Sequence, residues 1–197
     1  MNKQQNENLN ISRSTISIHF INAALTGVKR LGMDVDTLLA HAGIDAELLN
    51  QPKARISPEQ YTRFVKMLWL VTQDEHVGFD AQPRRLGTFA MMCQLIIHAK
   101  TLGQALQLSS QFYKLFGDDW AVSLERDKHE ARLIPQIPKR LDPDHFITES
   151  MLMIWHGLAS WLIERRIPLE RVHFNYSRPE HADEYDALFF APVKQFD

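Results

Sequence analysis

The chain has 197 residues, 45% of them apolar and 23% charged, with only 8 Gly and 9 Pro, a balance that excludes disorder and collagen-like repeats and suits one soluble globular domain. Lys and Arg number 22 against 24 Asp and Glu, a net charge of -2, so no global positive field draws nucleic acid to this chain alone. The single cysteine, Cys93, excludes an internal disulfide, the polar start MNKQQNENLN lacks the apolar stretch of a signal peptide, and no apolar run approaches the ~20 residues of a membrane helix. A cytoplasmic protein with no membrane partner is expected.

Residues 1–12 read as a flexible tail, because six of the first ten are Asn or Gln and almost nothing apolar offsets the entropy of ordering them. Residues 13–197 are expected to form a single domain. From Ser14 to Leu31 the residues Phe20, Ile21, Ala24, Leu25 and Val28 recur at spacings of three and four, predicting an amphipathic helix that Gly32 ends. Asp34 or Asp36 caps a short helix carrying Val35, Leu38, Leu39 and Ala42, stopped by Gly43, and Asp45 to Leu49 adds one turn. Ser57-Pro58-Glu59-Gln60 combines an N-cap serine, a first-turn proline and a capping-box glutamine ahead of Tyr61, Phe64, Val65, Leu68 and Trp69.

Leu86 to Lys100 is apolar nearly all round and predicts a helix buried on most sides. Thr101 caps the next, whose Leu102, Ala105, Leu106, Ser109, Phe112, Tyr113 and Phe116 share a face before Gly117. Period-two alternation from Trp120 to Glu125, followed by Arg132 to Ile137, predicts a hairpin with Pro135 on an edge. Asp142-Pro143 opens a long helix to about Arg165, Arg171 to Tyr176 reads as a strand, Pro179 to Phe190 as a short helix, and Pro192 to Phe196 as a last extended piece. The expected class is α+β: an N-terminal helical cluster and a small, mainly antiparallel sheet packed by long helices. Hairpin, Arg171 strand and final extended piece are expected in one sheet, covered by Ile147, Met151, Ile154, Leu158 and Trp161 of the long helix.

Signatures for nucleotides, serine hydrolases and zinc proteases (GxGxxG, GxxxxGK, GxSxG, HExxH) are all missing, and one Cys with nine scattered His offers no paired metal ligands. No cofactor or metal is therefore expected. His145, Glu149 and His156 share one helical stripe, but Glu149 and His156 are ~10 Å apart along the axis, too far for easy common coordination. The stripe reads as the solvated side of the helix, with His156 also a candidate for ligand polarity. Phe89, Met92 and Cys93, with Phe112 and Phe116 on the next helix and Trp155 later, are an aromatic and sulfur-rich population able to surround a small apolar ligand or simply to fill core. Arg84-Arg85 and Arg165-Arg166 are only pairs and read as helix-end charges.

Several separated stretches together resemble the N-terminal, arabinose-binding-like domain of AraC/XylS-type transcription regulators. They are Leu38-Leu39-Ala-His-Ala-Gly43 with Leu48-Leu49, Ala54-Arg55-Ile56, Leu86-Gly87-Thr-Phe-Ala90, Lys100-Thr101-Leu102-Gly103-Gln-Ala105-Leu106, Val172-His-Phe174 to Arg178-Pro179, and Phe189-Phe190-Ala-Pro192-Val193. Gly87-Thr88-Phe89-Ala90 keeps one glycine of a pattern in which the family carries two followed by tyrosine. The resemblance implies an effector-sensing domain that binds a small organic molecule, dimerises, or both, and signals to a DNA-binding domain with helix-turn-helix units. No such segment occurs in this sequence, so DNA would be met only through that further domain. Two other functions stay open: a ligand-free dimerisation module, and a small enzyme using Glu149 and His156 as acid and base.

Overall fold

The computed structural model describes residues 15–80, 82–117, 122–137 and 142–197. The expected tail, and Trp120 at the start of the hairpin, lie outside them. The chain divides into two compact units, one ending at Leu86 and the other spanning Gly87–Asp197.

In the first unit, β1 (Ile16–Ser17) pairs antiparallel with β2 (Arg55–Ile56), and the Ser17 hydroxyl accepts from the His19 amide to start α1 (Ile18–Arg30). α1 buries Ile18, Ile21, Ala24, Leu25 and Val28, the row its periodicity predicts. Asp34 caps α2 (Val35–Ala42), which Gly43 ends at φ 71°, and Asp45 caps the 3-10 turn Ala46–Asn50. The capping box of α3 (Pro58–Thr72) is complete: Gln60 N donates to Ser57 Oγ at 3.2 Å and Ser57 N to Gln60 Oε1 at 2.9 Å. Gly27 of α1 meets the loop after α3 backbone to backbone, and a Cβ there would stand 2.0 Å from the Val77 carbonyl oxygen. Buried Asp74 holds that loop by accepting from the amides of His76, Gly78 and Arg84.

The second unit begins with α4 (Thr88–Ile96) and α5 (Leu102–Lys114), the latter capped by Thr101. The hairpin of β3 (Val122–Arg126) and β4 (Ala131–Pro135) pairs Leu124 with Leu133 and Arg126 with Ala131. The long helix α6 (Phe146–Leu162) starts where the Asp142 carboxylate accepts from Ile147 N, Thr148 N and Thr148 Oγ1. Then follow β5 (Arg171–Phe174), a 3-10 turn (Ala182–Glu184), α7 (Tyr185–Phe189) and β6 (Val193–Phe196). One apolar cluster joins Met92, Ile96, Ala105, Leu106, Tyr113, Val122, Trp155 and Leu158; a second joins Val172, Phe174, Tyr176, Tyr185 and Phe189.

Helices with small two-stranded sheets make an α+β fold, and three expectations within it change. α4 buries only Met92 and Ile96, and Met91 is 61% exposed, so it is a surface helix whose apolar residues exceed its one packed face. The hairpin and the β5–β6 pair are separate sheets, and β5–β6 is parallel, Arg171 opposite Val193; the helical crossover between them returns the chain in the same direction. α6 keeps part of the expected face, burying Ile147 and Leu158, with Met151 packed against the cluster that holds Leu158, but is turned away from the rest. Trp161 is 64% exposed and Ile154 40%, whereas Glu149, assigned to the solvated side, is 1% exposed.

Candidate functional site

Within the second unit lies a cleft of about 1480 Å³. One wall is the hairpin, from Leu124 and Arg126 through the 129–137 segment. Another is the face of α6 that carries Thr148, Leu152, His156 and Ala159, reached through His145. The N-terminal turn of α5 supplies Leu102, Gly103 and Leu106, and β5 with the preceding 167–170 segment completes the lining. Leucines from all these elements give the cleft apolar lining, interrupted by a small number of charged groups, the usual composition of a small-molecule site.

The charged groups come mainly from the hairpin and β5. Glu130, after the hairpin turn, accepts from Arg132 Nη2 and, at 2.7 Å, from Arg171 Nη2 on β5. The bond from Arg132, then that from Arg171, holds the Glu130 carboxyl below the ordinary glutamate range. Arg126 Nη1 lies across the first turn of α5, 3.3 Å from where a Cβ on Gly103 would stand. Two histidines border the cleft from α6. His156 Nε2 donates to the Ile167 carbonyl at 2.8 Å, which leaves Nδ1 as the ring's remaining polar atom. His145 sits at φ 59°, a left-handed conformation His tolerates better than most residues, and its ring stacks on Tyr176 with centroids 3.6 Å apart.

Glu149 is held in a second cluster that does not border the cleft. Its Oε1 accepts from Tyr185 Oη at 2.5 Å and from His181 Nε2 at 2.8 Å, and Tyr185 Oη lies 3.0 Å from Tyr176 Oη. Burial first, then the bond to Glu149, lifts the Tyr185 phenol far above its ordinary range, and burial does the same for Tyr176. Glu149 and His156, paired as acid and base in the enzymatic alternative, thus bind different partners.

Of the aromatic and sulfur residues singled out from the sequence, Met92 and Trp155 are buried in the apolar cluster, with Phe89, Cys93 and Phe112 packed against it. Phe116 is 47% exposed, its ring edge-on to Phe112 at 5.4 Å. None of these six borders the cleft; His156 does. His145, read from the sequence as part of a solvated stripe, borders the cleft as well, whereas Arg126, Arg132 and Arg171 were not singled out. A signal for Arg126 was present, since it continues the row Val122-Leu124-Arg126 on one side of a strand whose first two members turn to the core.

Residues 32–196 match the model of the arabinose-binding domain of AraC transcription regulators, N-terminal, and the chain belongs to that family. This is a sensing domain of transcription regulators, not an enzyme family. A curated relative, the ornithine utilization regulator of Pseudomonas aeruginosa, is 21% identical over 184 residues, covering 92% of this chain and 54% of that protein. The chain therefore spans about half the length of the curated relative it matches. Among the described residues no helix is long and apolar enough to cross a membrane.

Proposed function

We propose that residues 13–197 act as the effector-sensing domain of an AraC-type regulator and that a small organic effector occupies the cleft of the Gly87–Asp197 unit. The observation that carries this is the cleft itself: apolar lining with convergent charged groups, in a chain of a sensing family. The relative is named for the utilization of a small metabolite, which supports a metabolite-sized effector here. Binding shifts the regulator between states only through differential affinity, and the hairpin and β5 are the elements an occupant touches on both sides. DNA contact belongs to a further domain of the whole regulator, and the setting is cytoplasmic. Homodimerisation is the second function, favoured by the exposed Met153, Ile154 and Trp161 on one face of α6.

A thermal-shift screen of metabolites tests the first function. An effector at 100 times its Kd adds about 2.7 kcal/mol of stability, and Ala131→Trp and Gln195→Trp, at two exposed cleft positions, abolish that shift while the protein stays folded. A shift unchanged in both folded variants overturns the cleft as effector site. Sedimentation of wild type against Trp161→Ser tests the second.

A further inference from the structure

Resting on the cleft as the effector site, we propose that the effector is a small carboxylate, its anionic group bound by Arg126 and by the Arg132 and Arg171 pair once Glu130 yields its place. Three guanidinium groups border this cleft. Of the carboxylates bordering it, Asp142 is committed to the start of α6 and Glu130 to Arg132 and Arg171. With exposed Glu170 the carboxylates number three, as many as the arginines, so what sets Arg126 apart is its lack of a partner. Its guanidinium has no hydrogen-bond or ion-pair partner among the described residues, and it is placed beside Gly103, where the lack of a side chain leaves room against it.

Glu130 shows what the other two arginines accept. Its carboxylate takes both in the charge-assisted manner typical of guanidinium groups, and an incoming carboxylate offers the same oxygens. The exchange has a structural consequence. Glu130 and Arg171 lie 41 residues apart in sequence, and their bond ties the hairpin turn to β5 at the border of the cleft. A ligand carboxylate that takes Arg171 releases that tie, so binding converts one hairpin position to another and supplies the differential contact a sensor needs.

The test is a titration of the 197-residue chain followed at the arginine Nε–H signals by NMR. The probes are succinate and hexanoate, their neutral counterparts succinamide and hexanamide, and inorganic phosphate, each raised to about 10 mM so that millimolar affinity registers. The carboxylates are expected to shift the Arg126, Arg132 and Arg171 signals and the amides to leave them still. Arg126→Gln should weaken carboxylate binding roughly 10- to 100-fold and Arg126→Lys less. Glu130→Gln, which removes the internal competitor, should tighten it several-fold. Amides binding as well as acids, no carboxylate registering at all, phosphate outcompeting both carboxylates, or Glu130→Gln weakening the carboxylates would each overturn the proposal. If neutral compounds bind and Ala131→Trp blocks them while carboxylates fail, the cleft stands as the effector site and only the carboxylate class falls. If carboxylates bind equally well to Ala131→Trp and Arg126→Gln, both fall.

Discussion

Glu149 shows how much one side chain decides. It is 1% exposed, and its Oε1 alone serves both Tyr185 and His181, while Oε2 has no hydrogen-bond partner among the described residues. Replacing it by Ala removes the acceptor that a buried phenol and an imidazole share, so Glu149→Ala is expected to cost about 3 kcal/mol, and Glu149→Gln, which keeps an acceptor oxygen, distinctly less; urea unfolding measures both. Equal costs would show that the oxygen's bonds are not what matters. The phenols give a pH dependence. Tyr176 and Tyr185 are raised by burial beyond the ordinary range, and Tyr61 is pushed up to about 12, also by burial. An unfolded chain releases these protons near pH 10, whereas the folded one keeps them. Their contribution is therefore complete below about pH 10 and is lost as pH climbs through the folded values. Unfolding free energy should fall between about pH 9 and pH 11, with a shallower slope in Tyr185→Phe; an identical slope in that variant would contradict the assignment.

At the scale of elements, faces and caps behaved differently. Trp155 is buried against Tyr113 while Trp161, on the same helix, is exposed. Trp155→Ala is accordingly expected to cost about 3–5 kcal/mol and Trp161→Ala no more than ~0.5 kcal/mol, read from urea midpoints; the reverse order would restore the face expected from the sequence. Gly27→Ala, with its Cβ aimed at the Val77 carbonyl, should cost about 1–3 kcal/mol or more by overpacking, and a melting temperature equal to wild type would refute the close approach. The caps at Asp34, Ser57 and Thr101 were legible because a cap is settled within four residues. The face of α6 was not, because apolar residues surround most of that helix and periodicity alone cannot choose among them. The choice is made by Glu149 meeting His181 and Tyr185, 32 and 36 residues away. The parallel pairing of β5 with β6 depends on a crossover of the same long range, while the hairpin, closed within a short turn by Asp127 accepting from the amides of His129 and Glu130, was readable directly.

For the whole molecule, the family was carried by scattered short matches whose order and spacing survive even where each is degenerate, and residues 32–196 match it. The site was far less legible. Met92, Cys93 and Trp155 combine the chemistry of a ligand pocket with that of an ordinary core, and in the fold they fill or flank core. The cleft forms where a hairpin, a helix and a strand distant in sequence converge, so that Arg126, Arg132, Arg171 and His156 share its lining. Hydrogen exchange tests the effector cleft most directly, comparing the free chain with the chain saturated by the metabolite that raises its melting temperature. Slowed exchange is expected in segments 129–137 and 167–173, which both line the cleft. Slowing confined to α4 and α5, with both of those segments unchanged, would contradict it.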